Sequence, residues 1–491
     1  MSFLKDYPQL QIIRDIARRR KVDVRLVGGF LRDHCLGNIK TDFDFAVEKD
    51  ALDLARLFAL RIKGAYVVLD QERGCARVVK KNDGKIWTFD FSDFRARNFR
   101  RDLTLRDFTI NTLSVDLAKL DGSTNLADVL ADGKNGLKDL RAKRVRRVSV
   151  RAFRDDPLRL LRAFSLSATL DFKVESQTLA QVRREKDLLR PAGSLRPAGS
   201  IWEEGVSYDR IRDELFKILE TERAAATLKA MDKAGLLDKV IPQVKAMYNC
   251  KQRGTYHHLD VWPHSLEVVA QFDGVVREMQ NNADVVEYLN ESLGGNRTRR
   301  ALLKLAALAH DIGKPETRKE AGKRGLTFYG HERVGKNIVT HIAKMLKLST
   351  GERRALEDMV LWHLRPGYLS NFRKPSERSI YRYLRDARRE APGILLLSLA
   401  DQRATRGPMS TPRHEKHHER ICLEALKLYF DKKKEKPFMR LIDGHDLIRQ
   451  LRLKPSPLIG KILAEVTEQQ VLGKIKTKKE ALELAKDIAQ T

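Results

Sequence analysis

The stretch VRLVGGFLRDHCLGNIKTDFDFAVEKD, residues 24–50, constrains the fold more than any other part of the chain. VRLV and FDFAV are short runs rich in Val and Phe, with the composition of strands, and GGFLRDHCLGNIKT between them reads as a glycine turn leading into a short helix. Side chains alternate along a strand, so Asp42 and Asp44 share one face while Phe43 and Phe45 take the other. Two carboxylates side by side repel and require a cation between them, and oxygen ligands alone suit Mg²⁺. Gly28 and Gly29 let the backbone approach a ligand at a helix N-terminus, where phosphates bind. The expectation is a metal–nucleotide site built on a small sheet.

The strand pattern continues through AYVVLD, CARVVKK, KIWTFDF and LSVDL, which predicts an α/β head with a small mixed sheet over about residues 22–120. From about residue 137 the strand signals fade, and DDPLRLLRAFSLSATL and DRIRDELFKILETERAAATLKAMDKAGLL show helical spacing. A direct repeat between them, LRPAGSLRPAGS (189–200), reads as a loop. Residues 257–410 form a second helical block with many histidines. A charged stretch from RHEKHHER to DKKKEKP follows, its KKKEK run read as a solvated linker before a last helical piece from about 438.

With 95 basic and 66 acidic residues the chain carries a net charge of +29, which favours a polyanionic partner. No apolar run reaches the length of a membrane span, and the N-terminal MSFLKDYPQLQIIRDIARRR is a charged amphipathic helix without the apolar core of a signal peptide. The four scattered cysteines, Cys35, Cys75, Cys250 and Cys422, form no CxxC pair, so a cytoplasmic, reducing location is expected.

Three further segments bear on the site. TFDFSDFR supplies Asp90, either a third carboxylate for the metal or an exposed strand-end aspartate. In LRDFTINTLSVDL, Arg106 and Asp107 precede an apolar helix start, with Thr109 and Asn111 close behind. Arg106 suits a phosphate and Asp107 a ribose hydroxyl, with a helix cap and surface salt bridge as the plainer reading. In RDDPLRLLRAF, Asp156, Arg159 and Arg162 recur at a helical spacing of three. A carboxylate accepting from an exocyclic amine beside a guanidinium donating to a ring nitrogen matches cytosine and adenine and refuses guanine and uracil. The alternative is an ion pair on a solvated helix.

In this order the segments resemble the class II tRNA nucleotidyltransferase and bacterial poly(A) polymerase superfamily. VGGFLRD…TDFDFAV resembles its metal-binding motif, LRDFTIN its ribose-binding motif, and DGKNGLKDL (132–140, with Asp132, Gly136 and Asp139) its hinge loop. RDDPLR resembles its template motif for base choice, and VSYDRIRDEL (206–215) its helix-turn element. The resemblance covers nearly all of residues 22–240. It implies metal at Asp42 and Asp44, with Asp90 beside them, sugar contacts at Arg106 and Asp107, and base choice by Asp156 with Arg159. Gly28, Gly29, Arg32, Asn111 and Arg162 complete the expected nucleotide-binding set. The sequence departs from the family's pattern at Leu105, at Asp155 and in the SLS after RAF, which leaves open which nucleotide is added and how many. The implied reaction is nucleotidyl transfer with two Mg²⁺ ions, one activating an RNA 3′-hydroxyl and one steadying the triphosphate.

A second constellation lies in the middle of the chain. His264 stands at a helix start, His310–Asp311 at the end of an apolar helix stopped by Gly313, and Asp401 near another helix end. Ligands of these types from several helices suit Mg²⁺ or a transition metal. The block resembles the HD phosphohydrolase domain, whose pattern His…His-Asp…Asp these residues fill. His331 and His363 resemble the extra ligands of two-metal members. The implied reaction is hydrolysis of a phosphoester, such as a 2′,3′-cyclic phosphate on a damaged RNA end; the alternative is an HD fold that merely helps to bind tRNA. Residues 441–488 resemble the C-terminal element of tRNA nucleotidyltransferases, with Pro455, Ser456 and Pro457 where the family form is often Pro-Gly-Pro. Gly460 suits close helix packing or an RNA backbone equally.

The expected division is a nucleotidyltransferase head over 1–136, a helical neck and body over 137–250, an HD domain over 251–435 and a helical, tRNA-binding tail over 436–491. The expected function is addition of CCA, CC or A to the tRNA 3′ end from CTP and ATP, with a linked metal-dependent hydrolase. Its competitors are a poly(A) polymerase and an HD phosphohydrolase whose inactive head only binds RNA. YVVLDQERGCARVVKK, where poly(A) polymerases usually carry an arginine-rich strand, favours the tRNA enzymes.

Overall fold

Alternation of aspartate and phenylalanine in DFDFAV builds the central strand of the head. Strand β2 (Asp42–Val47) follows β1 (Val24–Val27) through the helix Gly29–Cys35. Phe43 and Phe45 point into the core, where Phe43 stacks on Phe30 and Phe89 at centroid distances of 4.2 and 5.1 Å and Phe45 on Phe91 at 4.9 Å. The remaining strands are β3 (Ala65–Asp70), β4 (Cys75–Asn82), β5 (Lys85–Asp93), β6 (Leu113–Asp116) and β7 (Leu130–Asp132). Together they form one seven-stranded sheet of order β3-β4-β5-β2-β1-β6-β7. β2 and β5 run parallel, and every other neighbouring pair is antiparallel. The parallel register sets Asp44 directly opposite Asp90 on one face and the Phe45–Phe91 pair on the other. The helix Ala51–Ile62 covers the phenylalanine face through Leu54, Ala55, Phe58 and Ala59.

The computed structural model describes residues 3–82, 84–190, 205–252, 258–320, 322, 325–405, 411–435 and 439–490. The chain divides into two units, Met1–Arg223 with Thr227–Val240, and Ala224–Ala226 with Ile241–Thr491. Most of the LRPAGS repeat lies outside the described residues.

After the sheet the first unit is mainly helical. Its helix Arg159–Leu170 packs on Tyr208–Leu219 through a buried Glu214, which accepts from Arg162 Nε at 3.2 Å, Lys217 Nζ at 3.0 Å and the Ser165 hydroxyl. In the second unit the helix Arg299–Ala309 is buried on every side. Its Lys304 is neutralised by Asp273 at 2.6 Å, so the one buried ammonium of this helix has a counter-ion. The tail helices Gly444–Leu451, Pro457–Val471 and Lys478–Gln490 enclose a small core of Leu447, Ile462, Val466, Ala481 and Ala485.

Glu468 of this tail is buried among Arg378, Arg382 and Arg385, three guanidinium groups from the helix Glu377–Ala387. These cations hold its carboxyl below the usual range against the opposing effect of burial. Glu468→Ala is expected to destabilise the tail by about 1–3 kcal/mol, because three like charges lose their common partner. Hydrogen exchange in the helix Pro457–Val471 measures this, and unchanged protection there would refute it.

Two sequence expectations are corrected. LRDFTINTL does not open a helix: a 3-10 turn over Thr109–Asn111 runs straight into β6, because Leu113 and Val115 are claimed by pairing with β1 and β7. The KKKEK run is not wholly a linker either. Pro412–Lys434 is one helix that buries His418, Ile421, Cys422, Ala425, Leu426 and Phe430, and Lys432–Lys434 form its last turn, where cations suit the helix dipole.

Candidate nucleotide and metal sites

Asp44 lies at the floor of a head cavity of about 850 Å³, which Gly28, Gly29, Asp90, Arg106, Asp107, Asp156, Arg159 and Arg162 also line. Gly28 has φ +81°, and a Cβ there would stand 2.9 Å from Asp44 Oδ2, so both its conformation and its closeness to the carboxylate require glycine. The Gly29 amide donates to Asp44. Although Asp44 is open to the cavity, its carboxyl is pushed up to about 6, first by loss of water around it and then by the Asp90 charge, against the pull of Arg106 and with a further push from Asp42. Asp42 shares the face and accepts from the Thr88 hydroxyl.

Asp90 joins this face, but its charge is already met. Arg77 on β4 grips it in a fork, Nε and Nη2 each 2.7 Å from a carboxylate oxygen. Neither Arg77 nor Thr88 is singled out by the sequence, since both act across strands.

The ribose and template segments merge into one network. Arg32 Nη1 donates to Asn111 Oδ1 at 2.7 Å, and Asn111 Nδ2 donates to Asp107 Oδ1 at 3.0 Å. Arg162 Nη1 reaches Asp107 Oδ2 at 3.4 Å, and its Nε is held by Glu214. Burial alone would raise the Asp107 carboxyl, but Arg162 and Asn111 overcome it and hold it below its usual range. Arg106 pairs with Asp102 at 3.0 Å.

Asp156 departs from the expected helical spacing. Pro157 forces the residue before it into an extended conformation, φ −152° and ψ 103°, so Asp156 stands outside the helix that begins at Arg159. Its carboxylate accepts from Arg210 Nη2 at 2.8 Å. The buried Arg159 instead donates to the backbone carbonyls of Leu105 at 2.7 Å, Ala152 at 3.2 Å and Arg106 at 3.3 Å. Those bonds tie the template segment to the ribose segment. In the hinge segment, Asp132 accepts from the Gly136 amide at 2.6 Å, and Asp139 from the Thr109 hydroxyl at 2.7 Å. A Cβ at Gly136 would lie 2.5 Å from the Thr109 carbonyl oxygen.

In the second unit all six expected ligands converge. His264 Nε2 is 2.9 Å from Asp401 Oδ1 and 3.9 Å from Asp311 Oδ2, and His310 Nε2 is 3.2 Å from Asp311 Oδ2 and 3.8 Å from Asp401 Oδ1. On the other side Asp311 Oδ1 lies 3.3 Å from His331 Nε2 and 3.8 Å from His363 Nε2. Asp311 therefore belongs to two triads, one with His264 and His310 and one with His331 and His363. Three of the imidazoles are fixed from behind: Nδ1 of His310, His331 and His363 lies 2.9, 2.8 and 2.7 Å from the carbonyls of Ala307, Phe328 and Val360. Each carbonyl demands a proton on Nδ1 and so turns the Nε2 lone pair toward the cluster.

His331 Nε2 and His363 Nε2 face each other at 3.3 Å, where two lone pairs repel unless a cation joins them. His363 is pushed down to about 3, by burial first and then by His310 and His331, and so is a neutral ligand. Burial would raise Asp311, but His310 and Lys314 hold it well below its usual range. Lys314 bridges Asp311 and Gln252 at 2.6 and 2.7 Å, a contact that sequence spacing did not reveal. The donor set of imidazole nitrogens and carboxylates fits divalent metal ions.

The fold is that of a nucleotidyltransferase head joined to an HD-type helical domain. Family models agree: the Poly A polymerase head domain matches residues 24–146, the RNA and SrmB-binding site of polymerase A residues 204–248, the HD domain residues 262–406 and tRNA nucleotidyltransferase domain 2 residues 433–485. The A-adding tRNA nucleotidyltransferase of Deinococcus radiodurans is 31% identical over 460 residues, 93% of each chain. The CC-adding tRNA nucleotidyltransferase of Thermus thermophilus is 29% identical over 463 residues, 93% of this chain and 91% of its own. The Thermotoga maritima CCA-adding enzyme solved with tRNA shares the fold at a TM-score of 0.59 and 20% identity, covering 98% of this chain and 95% of its own. The chain belongs to the tRNA nucleotidyltransferase and bacterial poly(A) polymerase superfamily, with an HD domain. Among the described residues no helix is long and apolar enough to cross a membrane, and the four cysteines are free.

Proposed function

We propose that the chain adds nucleotides from CTP and ATP to the 3′ end of tRNA in the cytoplasm. The observation that carries this reading is the head cavity, where Asp44 at the floor meets a wall made by Arg106, Asp107, Asp156 and Arg162. Full-length similarity to A-adding and CC-adding tRNA enzymes supports the substrate class. In the reaction the RNA 3′-oxygen bonds to the α-phosphorus, the bond to the β-phosphate oxygen breaks, pyrophosphate leaves and the hydroxyl proton passes to solvent. The reluctance of Asp44 to ionise beside Asp42 fits a divalent cation as the partner of these two carboxylates, and oxygen donors suit Mg²⁺. Held by Asp42 and Asp44, Mg²⁺ would neutralise the triphosphate and make the 3′-hydroxyl nucleophilic. Asp107, buttressed by Arg162 and Asn111, would accept a hydrogen bond from a ribose hydroxyl. Asp156 offers its carboxylate to a base amine, with Arg210 or Arg159 as the donor beside it. We read the chain as head 1–136, neck and body 137–250, HD domain 251–435 and tail 436–491, a division the matched family stretches support.

The test is incorporation of CTP and ATP, separately and together, into tRNA lacking CCA, tRNA ending in one or two C residues, and oligo(A). Addition of one to three residues to tRNA is the expected result and identifies the subtype; long A tails, or no incorporation, would overturn the proposal. Asp156→Ala is expected to cut discrimination against UTP and GTP about 10- to 100-fold, since a recognition hydrogen bond is lost without the metal site being touched. Unchanged selectivity would remove Asp156 from base choice.

A second reading, for the same chain, is hydrolysis of a phosphoester at the histidine–aspartate cluster, a 2′,3′-cyclic phosphate being the expected class. The Nε2 groups converging on Asp311 carry it. Water oxygen bonds to phosphorus, one ester P–O bond breaks, and the freed ribose oxygen takes the proton. Divalent ions held by the six ligands, Mg²⁺ or a transition metal, would acidify the water and polarise the ester.

A further inference from the structure

Beside the histidine–aspartate cluster lies a cavity of about 760 Å³, lined by His363 and Asp401 at one end and by the turn Ser370–Arg373 and the start of the helix Pro412–Lys434 at the other. Ligand pockets run to about 300–1,000 Å³, so this one exceeds what a bare phosphate fills.

Its far wall is a built platform. His418 Nδ1 is 3.0 Å from Ser370 Oγ, His417 Nε2 is 3.0 Å from the Phe372 carbonyl, and Arg420 Nη2 donates to the Arg373 carbonyl at 3.2 Å. Three side chains within one turn of a single helix thus hold the Ser370–Arg373 turn, two at its backbone carbonyls and one at the Ser370 hydroxyl. His418 also lies 3.1 Å from Ser398 Oγ, one helical step before the ligand Asp401, so platform and cluster share a scaffold.

The fixed turn presents Phe372, 61% exposed and lining the cavity. Around it stand Arg373, Arg413 and His414, whose side chains pair with no described residue. Glu415 and Asp401 are the acidic groups of the lining. A lone exposed phenylalanine is ordinary on a protein surface. On a pinned turn, inside a pocket whose guanidinium groups pair with no described residue and beside a metal-type cluster, it has the chemistry of base stacking beside phosphate binding.

We propose that this wall is a nucleotide subsite: Phe372 stacks on the terminal base of an RNA whose end phosphate is delivered to the cluster, and Arg373 and Arg413 hold the phosphodiester behind it. The proposal rests on the hydrolase reading for its chemistry and adds the substrate's form, a phosphate-terminated ribonucleotide. Two cyclic phosphates test it with the full chain: RNA ending in a 2′,3′-cyclic phosphate, and ribose 2′,3′-cyclic phosphate without a base. Phe372→Ala is expected to raise KM for the RNA at least about 10-fold, the size of one stacked base, and to leave kcat/KM for the base-free ester unchanged. Melting stays at the wild-type value, because the ring is exposed. The second readout is independent of turnover: 4-thiouridine 3′-phosphate at the end of a short RNA is photo-crosslinked, and the linked peptide is identified by mass spectrometry. Linkage within residues 365–373 is the expected result. Equal losses on both esters, or linkage confined to other segments, would overturn the subsite. Linkage at Phe372 with neither ester hydrolysed by the wild type would uphold the subsite and sink the hydrolase reading.

Discussion

Asp44→Asn is expected to abolish nucleotide addition, with incorporation into tRNA falling at least about 10³-fold while the protein melts no lower than the wild type. The carboxylate stands at the floor of the head cavity, tied to the Gly29 amide and flanked by Asp42 and Asp90. An amide keeps the shape and loses the charge, so cation binding suffers and the fold does not. Stability carries its own signature. In the metal-free protein the Asp44 carboxyl lies at about 6, above its ordinary 3.8, so the folded state holds the proton more tightly than the unfolded chain does. Ionising it costs nothing below about pH 4, costs progressively more up to about pH 6, and the full cost persists above that. In EDTA, Asp44→Asn is therefore expected to raise Tm at pH 7.5 and to leave it unchanged near pH 4. Added Mg²⁺ narrows the difference at pH 7.5. Identical wild-type and variant melting at pH 7.5 would show that the charge repulsion in the floor is not felt by the fold, and full activity would remove Asp44 from the chemistry.

Asp311→Asn is expected to empty the second site altogether. One carboxylate serves both triads, Oδ2 toward His264 and His310 and Oδ1 toward His331 and His363. Other ligands belong to one side, so removing them weakens one position; removing Asp311 weakens both. Metal bound per chain, measured by calorimetric titration with Mn²⁺, loses the whole of the second site's share and keeps only the head's, and hydrolysis of cyclic phosphate falls at least about 10²-fold. Asparagine rather than alanine is the variant of choice, because Lys314 keeps an oxygen acceptor and a buried ammonium is not stranded. Nucleotide addition stays within about twofold of wild type and serves as the internal control for folding. Retained metal binding would mean that the histidines suffice without the shared carboxylate.

Local patterns carried much of this architecture. VRLV, strand alternation in DFDFAV and the apolar runs that follow correspond to β1 to β6, and the apolar stretch before His310–Asp311 is the buried helix Arg299–Ala309. Cross-strand and cross-helix partners were hidden. Arg77 meets Asp90 only because β4 pairs with β5 in one particular register, and Arg210 meets Asp156 over 54 positions of chain. The Asp156–Arg159 spacing invited a helical pair, but the proline between them ends that geometry, and Arg159 turns to backbone carbonyls instead. The 3-10 turn at Thr109 departs from the expected helix for a related reason: sheet pairing overrides a segment whose own pattern is ambiguous. The platform at Phe372 left no mark on the sequence, since a single exposed phenylalanine has no period.

On a ribosome the strands of the head arrive out of spatial order. β1 and β2 emerge first, yet the neighbour that sets Asp90 beside Asp44 is β5, and β1 waits for β6 on its other edge. The segment bearing Arg106 and Asp107 is made later still, between β5 and β6. A nascent chain that has exposed the whole GG…DxD stretch therefore carries the motif without a cavity to receive a triphosphate. Synthesis that stalls before β6 leaves β1 with one of its two edges unpaired, and long-range pairings of this kind make a sheet slow to close.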